Sequence, residues 1–236
     1  MNHAFDEQYW DDVWSGGRAG AMSTSAPNPH LVRQVGELAP GAAIDAGCGA
    51  GAEAVWLAAA GWTVTAADVA GTALAFGERR AAEAGVGQRV RWVQADLSTW
   101  EPEEQYDLVT THYAHPAIPQ LEFYRRIATW VGPHGTLLIV GHLHHDDATA
   151  TAGEHEQGHG HGQGHGQGHR HSHGADAQHE SQPPAEASAT AAAITELLDP
   201  EVWQVVTAEE SQRTAMGPAA RRVTINDVVV RATRRH

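Results

Sequence analysis

The residues with the clearest chemical potential are Asp45, a turn with glycines at positions 47, 49 and 51, and Asp68 further along the chain. Glycine has no Cβ, so this turn lets a ligand approach peptide N–H groups at the start of the helix that follows. Asp68 ends an apolar strand pattern, at a place where a carboxylate can accept two hydrogen bonds from ribose hydroxyls. The pattern therefore predicts a site for a nucleoside-bearing cofactor.

The glycine spacing separates two classes of cofactor. Dinucleotide folds carry G-x-G-x-x-G, which seats a pyrophosphate, whereas this chain has G-x-G-x-G with Ala52 as a loose substitute for a final small residue. A carboxylate at Asp45 would repel a pyrophosphate and attract an ammonium or sulfonium group. The spacing favours a sulfonium cofactor over the alternative, an NAD-type Rossmann oxidoreductase. A turn that merely packs a helix on a strand would leave both aspartates unexplained.

An acidic residue followed by G-x-G-x-G resembles motif I of the class I S-adenosylmethionine-dependent methyltransferases. The layout is similar to the small group that includes thiopurine and tellurite-resistance methyltransferases, whose acceptors are soft sulfur-type or chalcogen atoms. The resemblance implies in-line methyl transfer from S-adenosyl-L-methionine to a small-molecule acceptor, although an oxygen or nitrogen acceptor stays open. It implies cofactor contacts at Asp45, Gly47, Cys48, Gly49, Gly51, Asp68, Val69, Asp96, Leu97 and His112.

Within that cofactor set the resemblance assigns separate parts of the molecule. Asp45 and the glycine turn face the methionine part, Asp68 binds the ribose, and Asp96 reaches the adenine amino group. The alternative for Asp96 is a structural one, in which its side chain caps a helix that begins near Ser98.

Three candidate catalytic residues, His112, Tyr113 and His115, follow the predicted strand 106–111. Ligands of open parallel sheets bind outside the carboxyl ends of the strands, so this loop should border the site. A histidine side chain titrates near neutrality, so His112 or His115 is a candidate general base, and Tyr113 is a candidate for orienting the acceptor. Each histidine could equally pack against the fold or contact the cofactor.

Residues 1–40 are predicted to form a lid and pre-strand helices. Aromatic residues recur at helical spacing from Phe5 to Trp14, and a second helix is predicted from Leu31 to Leu38. The resemblance implies that the first helix covers the cofactor and that Trp10 and Trp14 wall the substrate pocket, where an indole face suits a sulfonium cation. A surface helix packed by its aromatic residues is the alternative.

Residues 41–236 are predicted to form one α/β methyltransferase domain. The hydrophobic pattern predicts strands at 43–46, 62–67, 89–94, 106–111, 136–140, 202–207 and 222–233. Helices are predicted at 53–60, 72–84, 121–131 and 191–198. The fold class is a Rossmann-like, seven-stranded, mostly parallel sheet with helices on both faces and, as the resemblance implies, an antiparallel last strand. A bulge is predicted near Asn226 and Asp227, and Arg213 is placed in the loop before the last strand.

A low-complexity, histidine-rich stretch at 142–190 interrupts this domain. Residues 144–193 contain no Val, Ile, Leu, Met, Phe, Tyr or Trp, so this stretch is predicted to be a disordered insert. Several imidazoles on one chain can bind a divalent metal, so a second alternative is a metal-binding protein on a degenerate methyltransferase frame. No metal site is expected in the core, and weak sites are predicted at His159, His161, His165, His169, His171 and His173.

Composition limits the partners. The chain has 29 acidic and 15 basic residues and a formal net charge of −14, which disfavours nucleic acid binding. No apolar stretch approaches the ~20 residues that span a bilayer, so no membrane association is expected. The lone Cys48 excludes an internal disulfide, as in proteins of a reducing compartment. These features predict a soluble, cytoplasmic enzyme that acts on a small molecule.

Overall fold

A seven-stranded sheet lies at the centre of the described chain. The computed structural model describes residues 5, 7–16, 19–143, 188–216 and 222–236. The strands are β1 (Ala42–Ala46), β2 (Thr63–Asp68), β3 (Val90–Gln94), β4 (Tyr106–His112), β5 (Val131–His142), β6 (Trp203–Met216) and β7 (Arg222–Arg234). Their order across the sheet is β3-β2-β1-β4-β5-β7-β6. The first five strands are parallel, and β7 runs antiparallel to both β5 and β6.

Helices cover the sheet and precede it. They are α1 (Glu7–Ser15), α2 (Ala19–Ser23), α3 (Pro29–Val35), α4 (Ala52–Ala59), α5 (Gly71–Glu83), α6 (Gln120–Ala128) and α7 (Ala191–Glu196), with a 3₁₀ turn at Gly87–Arg89. One group of buried residues packs around Phe123 and Ile139, and another packs around Leu57 and Leu108, as expected for a sheet covered on both faces. No helix of the described residues is long and apolar enough to cross a membrane.

The predicted fold class is confirmed. Apart from Asp45, β1 is apolar because β2 and β4 flank it on both sides and its residues from 43 onward are buried. The order of the strands reverses between β1 and β4, so the carboxyl ends of these two strands border a crevice at a topological switch point. β3 lies at one edge of the sheet.

Two predictions about helix boundaries are wrong. Residues 97–99 form a hydrogen-bonded turn rather than the start of a helix near Ser98, because Pro102 disfavours a helical conformation in the residue before it. The helix predicted to run to Val131 ends at Ala128, and Val131 already pairs with Tyr106 in the sheet.

Two predictions about the last strands are also wrong. Arg213 lies on β6 and pairs with Ile225, because an edge strand with one exposed face can be polar in sequence. The pairing near Asp227 is continuous, and the register shift lies between Val205 and Thr207. The apolar positions change from odd to even numbers after Ile225, which suggested the bulge, because from Val228 to Val230 both faces of β7 are buried.

Candidate active site

A cavity of about 280 Å³ lies at the carboxyl edge of β1, β2, β3 and β4. The loops that follow these four strands supply most of its wall, as the topology requires. Twelve predicted site residues line it: Trp10, Trp14, Gly47, Cys48, Gly49, Asp68, Val69, Asp96, Leu97, His112, Tyr113 and His115. Asp45 and Gly51, which were also predicted to contact the cofactor, do not line the cavity.

Other residues of the wall were missed in the sequence. They are Phe5, Met22, Ser25, Ala50, Ala52, Glu53, Ala114 and Pro116. Those from positions 50 to 53 continue the glycine turn into α4, so the motif itself could have indicated them. Met22 and Ser25 carry no such signal, because only the three-dimensional course of the N-terminal segment brings them to the cavity.

Asp68 ends β2 and joins the glycine turn to the next helix. Its Oδ2 accepts a hydrogen bond from the Gly49 N–H at 2.8 Å, and its Oδ1 accepts one from the Ala70 N–H at 2.9 Å. Burial raises the pKa of Asp68, and these backbone donors oppose the shift. The carboxylate is therefore held rigidly in the cavity wall, and the Gly49 N–H, expected from the sequence to be open to a ligand, is already bonded.

Asp45 lies beneath the cavity wall and is almost fully buried, at 1% exposure. Its Oδ1 is 3.7 Å from Nδ1 of His112, which does line the cavity. Among the described residues neither Asp45 Oδ2 nor His112 Nδ1 has a hydrogen-bond partner. Burial raises the pKa of Asp45 to about 6, although the neighbouring His112 opposes the shift. Two buried polar groups that lack partners indicate that a ligand or water completes this part of the site.

The glycine turn fits closely against the loop that follows β4. Gly47 has a φ of +81°, in the region that favours glycine. A Cβ on Gly47 would lie 2.3 Å from the Cβ of Ala114, and one on Gly49 would lie 2.9 Å from the indole of Trp14. The bare turn therefore lets the post-β4 loop and the N-terminal helix close on the cavity from two sides.

Asp96 follows β3 and lines the cavity at a distance from the glycine turn along the sheet edge. Its Oδ1 accepts a hydrogen bond from the Ser98 N–H at 2.8 Å, and its carbonyl accepts one from Trp100 at 2.8 Å. The side chain thus stabilises a local turn. The structural alternative for Asp96 was that it caps a helix. Residues 97–105 contain no helix, so the side chain caps this turn instead.

Tyr113 joins the cavity to a buried polar cluster. Its φ of +54° is unusual for a bulky residue, and such strain occurs most often at functional sites. Its hydroxyl donates to Oδ1 of Asp227 at 2.7 Å and accepts from Nη2 of Arg213 at 2.9 Å. Burial, with a contribution from Asp227, raises the pKa of Tyr113 to about 12. The phenol therefore stays protonated at neutral pH, and its hydroxyl is committed to the cluster.

Asp227 is the centre of this cluster and has no exposed surface. Its Oδ2 accepts from Nε2 of His30 at 2.9 Å and from Nε of Arg213 at 2.6 Å, in addition to the Tyr113 bond. Burial would raise the pKa of Asp227, but hydrogen bonds from His30, Tyr113 and Arg213 outweigh it and lower the pKa. The cluster ties α3, β6 and β7 to the loop after β4.

We expect Asp227→Ala to lower the free energy of unfolding by about 3–5 kcal/mol at pH 7, because it leaves the buried His30 and the partly buried Arg213 and Tyr113 without their shared acceptor. A carboxyl with a lowered folded-state pKa contributes stability that is present above its ordinary pKa and is lost as the pH falls. The difference between the two proteins should therefore shrink as the pH falls below about 4. Urea unfolding at several pH values measures it.

The matched control for this change is Glu209→Ala. Glu209 is an exposed partner of Arg33, and exposed pairs contribute about 1 kcal/mol or less. If Asp227→Ala lowers the free energy of unfolding no more than Glu209→Ala does, the buried cluster has no special role in stability.

The N-terminal helix covers the cavity. Trp14 is buried at 7% exposure, and Nε1 of Trp10 donates to the carbonyl of His115 at 3.3 Å. The rings of Phe5 and Trp10 lie 6.1 Å apart, and Trp10 stacks on His115 at 6.4 Å. Gln94 donates to Glu7 of α1 at 3.0 Å, and Arg80 donates to the carbonyl of Ser25 at 2.6 Å. The aromatic residues thus wall the cavity, and polar contacts hold this cover in place.

His115 is buried at 9% exposure beside a second imidazole. The ring of His142, at the end of β5, stacks 5.4 Å from that of His115 and 4.4 Å from that of Tyr113. Burial lowers the pKa of His115 and lowers that of His142 to about 4. Both imidazoles are therefore neutral at physiological pH.

Cys48 lies in the cavity wall but is not set up as a nucleophile. Burial and the nearby Asp68 and Asp45 raise the pKa of its thiol well above the ordinary value. A thiol that stays protonated is a weak nucleophile, so Cys48 serves as a small residue of the turn.

Metal-ligand groups of three or more side chains are absent from the described residues. The predicted weak metal sites, from His159 to His173, and most of the histidine-rich insert lie outside those residues. They stay predictions from the sequence.

Comparison with known proteins agrees with this geometry. Residues 43–135, which span the glycine turn, Asp68, Asp96 and the post-β4 loop, match the model of a family described as a methyltransferase domain. A relative, probable thiol methyltransferase 2 of Arabidopsis thaliana, is 30% identical over 103 residues. That match covers 42% of this chain and 45% of the plant protein, so the chain spans less than half of that relative's length.

Solved structures share the fold across nearly the whole chain. TehB from Haemophilus influenzae superposes with a TM-score of 0.63 at 15% identity, over 94% of this chain and 66% of that protein. Magnesium protoporphyrin IX methyltransferase (ChlM) from Synechocystis PCC 6803, solved with bound SAM, gives a TM-score of 0.59 at 15% identity, over 99% of this chain and 100% of that one. At such identities the likeness is one of fold. The family match at residues 43–135 identifies this part of the chain as a methyltransferase domain, and the fold around it is the one that these solved methyltransferases share.

Proposed function

We propose that the chain transfers a methyl group from S-adenosyl-L-methionine to a small thiol. One observation supports the proposal most strongly. The glycine turn is hydrogen-bonded to Asp68, and both line the same cavity as the aromatic residues of the N-terminal segment and His115. The family match at residues 43–135 favours this activity over an NAD-type oxidoreductase or a metal-binding protein. The thiol is proposed because the matching plant relative is named as a probable thiol methyltransferase.

The residues present fit the cofactor. Asp68 would accept hydrogen bonds from the ribose, and Asp96 with Leu97 would hold the adenine. His112, which lines the cavity and whose Nδ1 lacks a hydrogen-bond partner among the described residues, would meet the polar end of the methionine part, with the buried Asp45 behind it. When bound, S-adenosylmethionine would supply an electrophilic methyl group on a sulfonium. The indole rings of Trp10 and Trp14 suit that cation and exclude water from it.

The acceptor side of the cavity suits a neutral, soft nucleophile. Its wall is aromatic and apolar, formed by Phe5, Trp10, Ala114 and Pro116 around His115. A thiol must lose its proton as the new carbon–sulfur bond forms, and a neutral imidazole in the wall can accept it. His115 is the proposed base, because His112 is assigned to the methionine part of the cofactor and the Tyr113 hydroxyl is bonded to Asp227.

The test is a screen of acceptors with methyl-labelled S-adenosylmethionine and purified full-length protein. We expect label in an alkyl thiol such as 2-mercaptoethanol, and we expect His115→Ala to lower kcat by about 100-fold or more, in the range of a lost general base. His134→Ala is the control, since His134 lies on β5 away from the cavity. Label that enters an alcohol or amine but no thiol would contradict the proposed acceptor, and binding of NADH without S-adenosylhomocysteine would contradict the activity.

The remaining partner assignments belong to the same proposal. A cytoplasmic location, no nucleic acid partner and divalent metal binding on the histidine-rich stretch are each supported by composition alone. None of them is needed for the proposed reaction.

A further inference from the structure

Gln120 is a buried polar residue beside the proposed base, His115. It is the first residue of α6 and is 5% exposed. Its Nε2 donates to the carbonyl of Ala114 at 3.0 Å, and its Oε1 lies 3.4 Å from Nδ1 of His115. The side chain therefore bridges two residues of the cavity wall.

The chemistry of these groups fixes the orientation of the amide. A carbonyl oxygen can only accept a hydrogen bond, so the NH₂ group of Gln120 must face Ala114. The oxygen Oε1 is then turned to His115 and can only accept. Nδ1 of His115 must therefore carry a hydrogen.

A neutral imidazole carries one N–H, so a hydrogen on Nδ1 leaves a lone pair on Nε2. The ring is neutral near pH 7, and His142, whose ring stacks 5.4 Å away, is also neutral. Among the described residues no side chain or backbone group hydrogen-bonds Nε2 of His115. Nε2 is thus ready to accept a proton.

We propose that Gln120 is a positioning residue, which holds His115 in the Nδ1–H tautomer so that Nε2 takes the proton of the thiol acceptor. The inference deepens the proposed function and rests on it. In the step, the S–H bond of the acceptor breaks, a bond forms between its sulfur and the methyl carbon, and the proton goes to Nε2. The electron pair of the broken donor bond stays on the donor sulfur, which becomes a neutral thioether.

The first test reads the tautomer directly, without turnover. ¹⁵N NMR of the imidazoles in the full-length protein, with the His115 signals assigned by their loss in His115→Ala, should show a protonated Nδ1 and an unprotonated Nε2. Gln120→Glu keeps an accepting oxygen and should preserve this pattern, whereas Gln120→Leu should shift the ring toward Nε2–H. A native His115 that is protonated at Nε2 would overturn the proposal.

The second test separates positioning from packing. Gln120→Leu should lower kcat by about tenfold or more with an alkyl thiol, which needs a base, and change it less than about threefold with an aromatic thiol, which is largely ionised already. Gln120→Glu should restore much of the alkyl-thiol rate. Equal losses with both thiols would mean that Gln120 serves packing only.

Gln105→Leu is the matched control for both tests. Gln105 also donates a side-chain hydrogen bond to a backbone carbonyl, that of Thr129 at 3.3 Å, but it is exposed and lies outside the cavity wall. It should leave both rates and the His115 signals unchanged. If the wild-type protein methylates neither thiol, the proposed function fails, while the ¹⁵N signals still decide whether Gln120 sets the tautomer.

Discussion

Asp68→Ala is expected to weaken the binding of S-adenosylhomocysteine by about 100-fold or more. The change removes the acceptor of the proposed ribose hydrogen bonds, and bonds to a charged group contribute about 1.5–3 kcal/mol each. It also frees the Gly49 N–H, which Asp68 holds at 2.8 Å, so the turn loses one of its bonds to β2, although the N–H groups of Gly47 and Cys48 still donate to the carbonyl of Ala67. Isothermal titration calorimetry with the demethylated cofactor measures the loss.

A matched control for Asp68 exists elsewhere in the sheet. Asp107 also accepts a backbone hydrogen bond, from the Ala42 N–H at 2.8 Å, but it is exposed and does not line the cavity. Asp107→Ala should leave the affinity within about twofold of the wild-type value. An affinity that survives the loss of Asp68 would show that the nucleoside is not held at the end of β2.

Gly47→Ala is expected to lower the free energy of unfolding by about 2–5 kcal/mol and to impair cofactor binding. A left-handed backbone costs a non-glycine residue about 1–2 kcal/mol, and forcing a methyl group into a filled space costs about 1–3 kcal/mol more. The second cost arises because the new Cβ would lie 2.3 Å from the Cβ of Ala114. Urea unfolding and calorimetry measure the two effects.

Two further variants separate strain from collision. Gly85 has a similar φ of +71°, but a Cβ there would meet nothing within 4 Å, so Gly85→Ala should show the strain alone. Adding Ala114→Gly to Gly47→Ala removes the colliding methyl group and should recover about 1–3 kcal/mol, less the intrinsic cost of the new glycine. If Gly47→Ala and Gly85→Ala lower the free energy of unfolding by the same amount, a small shift of the backbone relieves the contact with Ala114.

Local pattern was enough to predict the frame of the fold and most of the lining of the cavity. β1 and the glycine turn could be predicted because a buried parallel strand is largely apolar, here with Asp45 as the exception, and a left-handed turn favours glycine. The role of Asp68 could be predicted because it is the last residue of β2. The family match over residues 43–135 confirms the methyltransferase prediction that these features supported.

The side-chain partners could not be predicted in the same way. Asp227 bonds to His30, 197 residues away, and to Tyr113, 114 residues away, and no periodic pattern records such pairs. Arg213 was placed in a loop for the same reason, since its polar neighbours gave no sign of a strand. Motif I located Asp45 in sequence, but only the folded sheet shows that His112 stands beside the buried carboxylate.

The two ends of the histidine-rich stretch meet at one point of the sheet. His142 and Ser188 form a parallel β-bridge, and the Ser188 hydroxyl donates to the carbonyl of His142 at 3.1 Å. Because the first and last residues of the stretch are adjacent, its length does not affect the position of the strands. The entropic cost of closing a loop also rises by only about 0.6 kcal/mol each time its length doubles. Residues can therefore be added to or removed from this stretch without moving β5, and a domain inserted at this junction should leave the sheet intact.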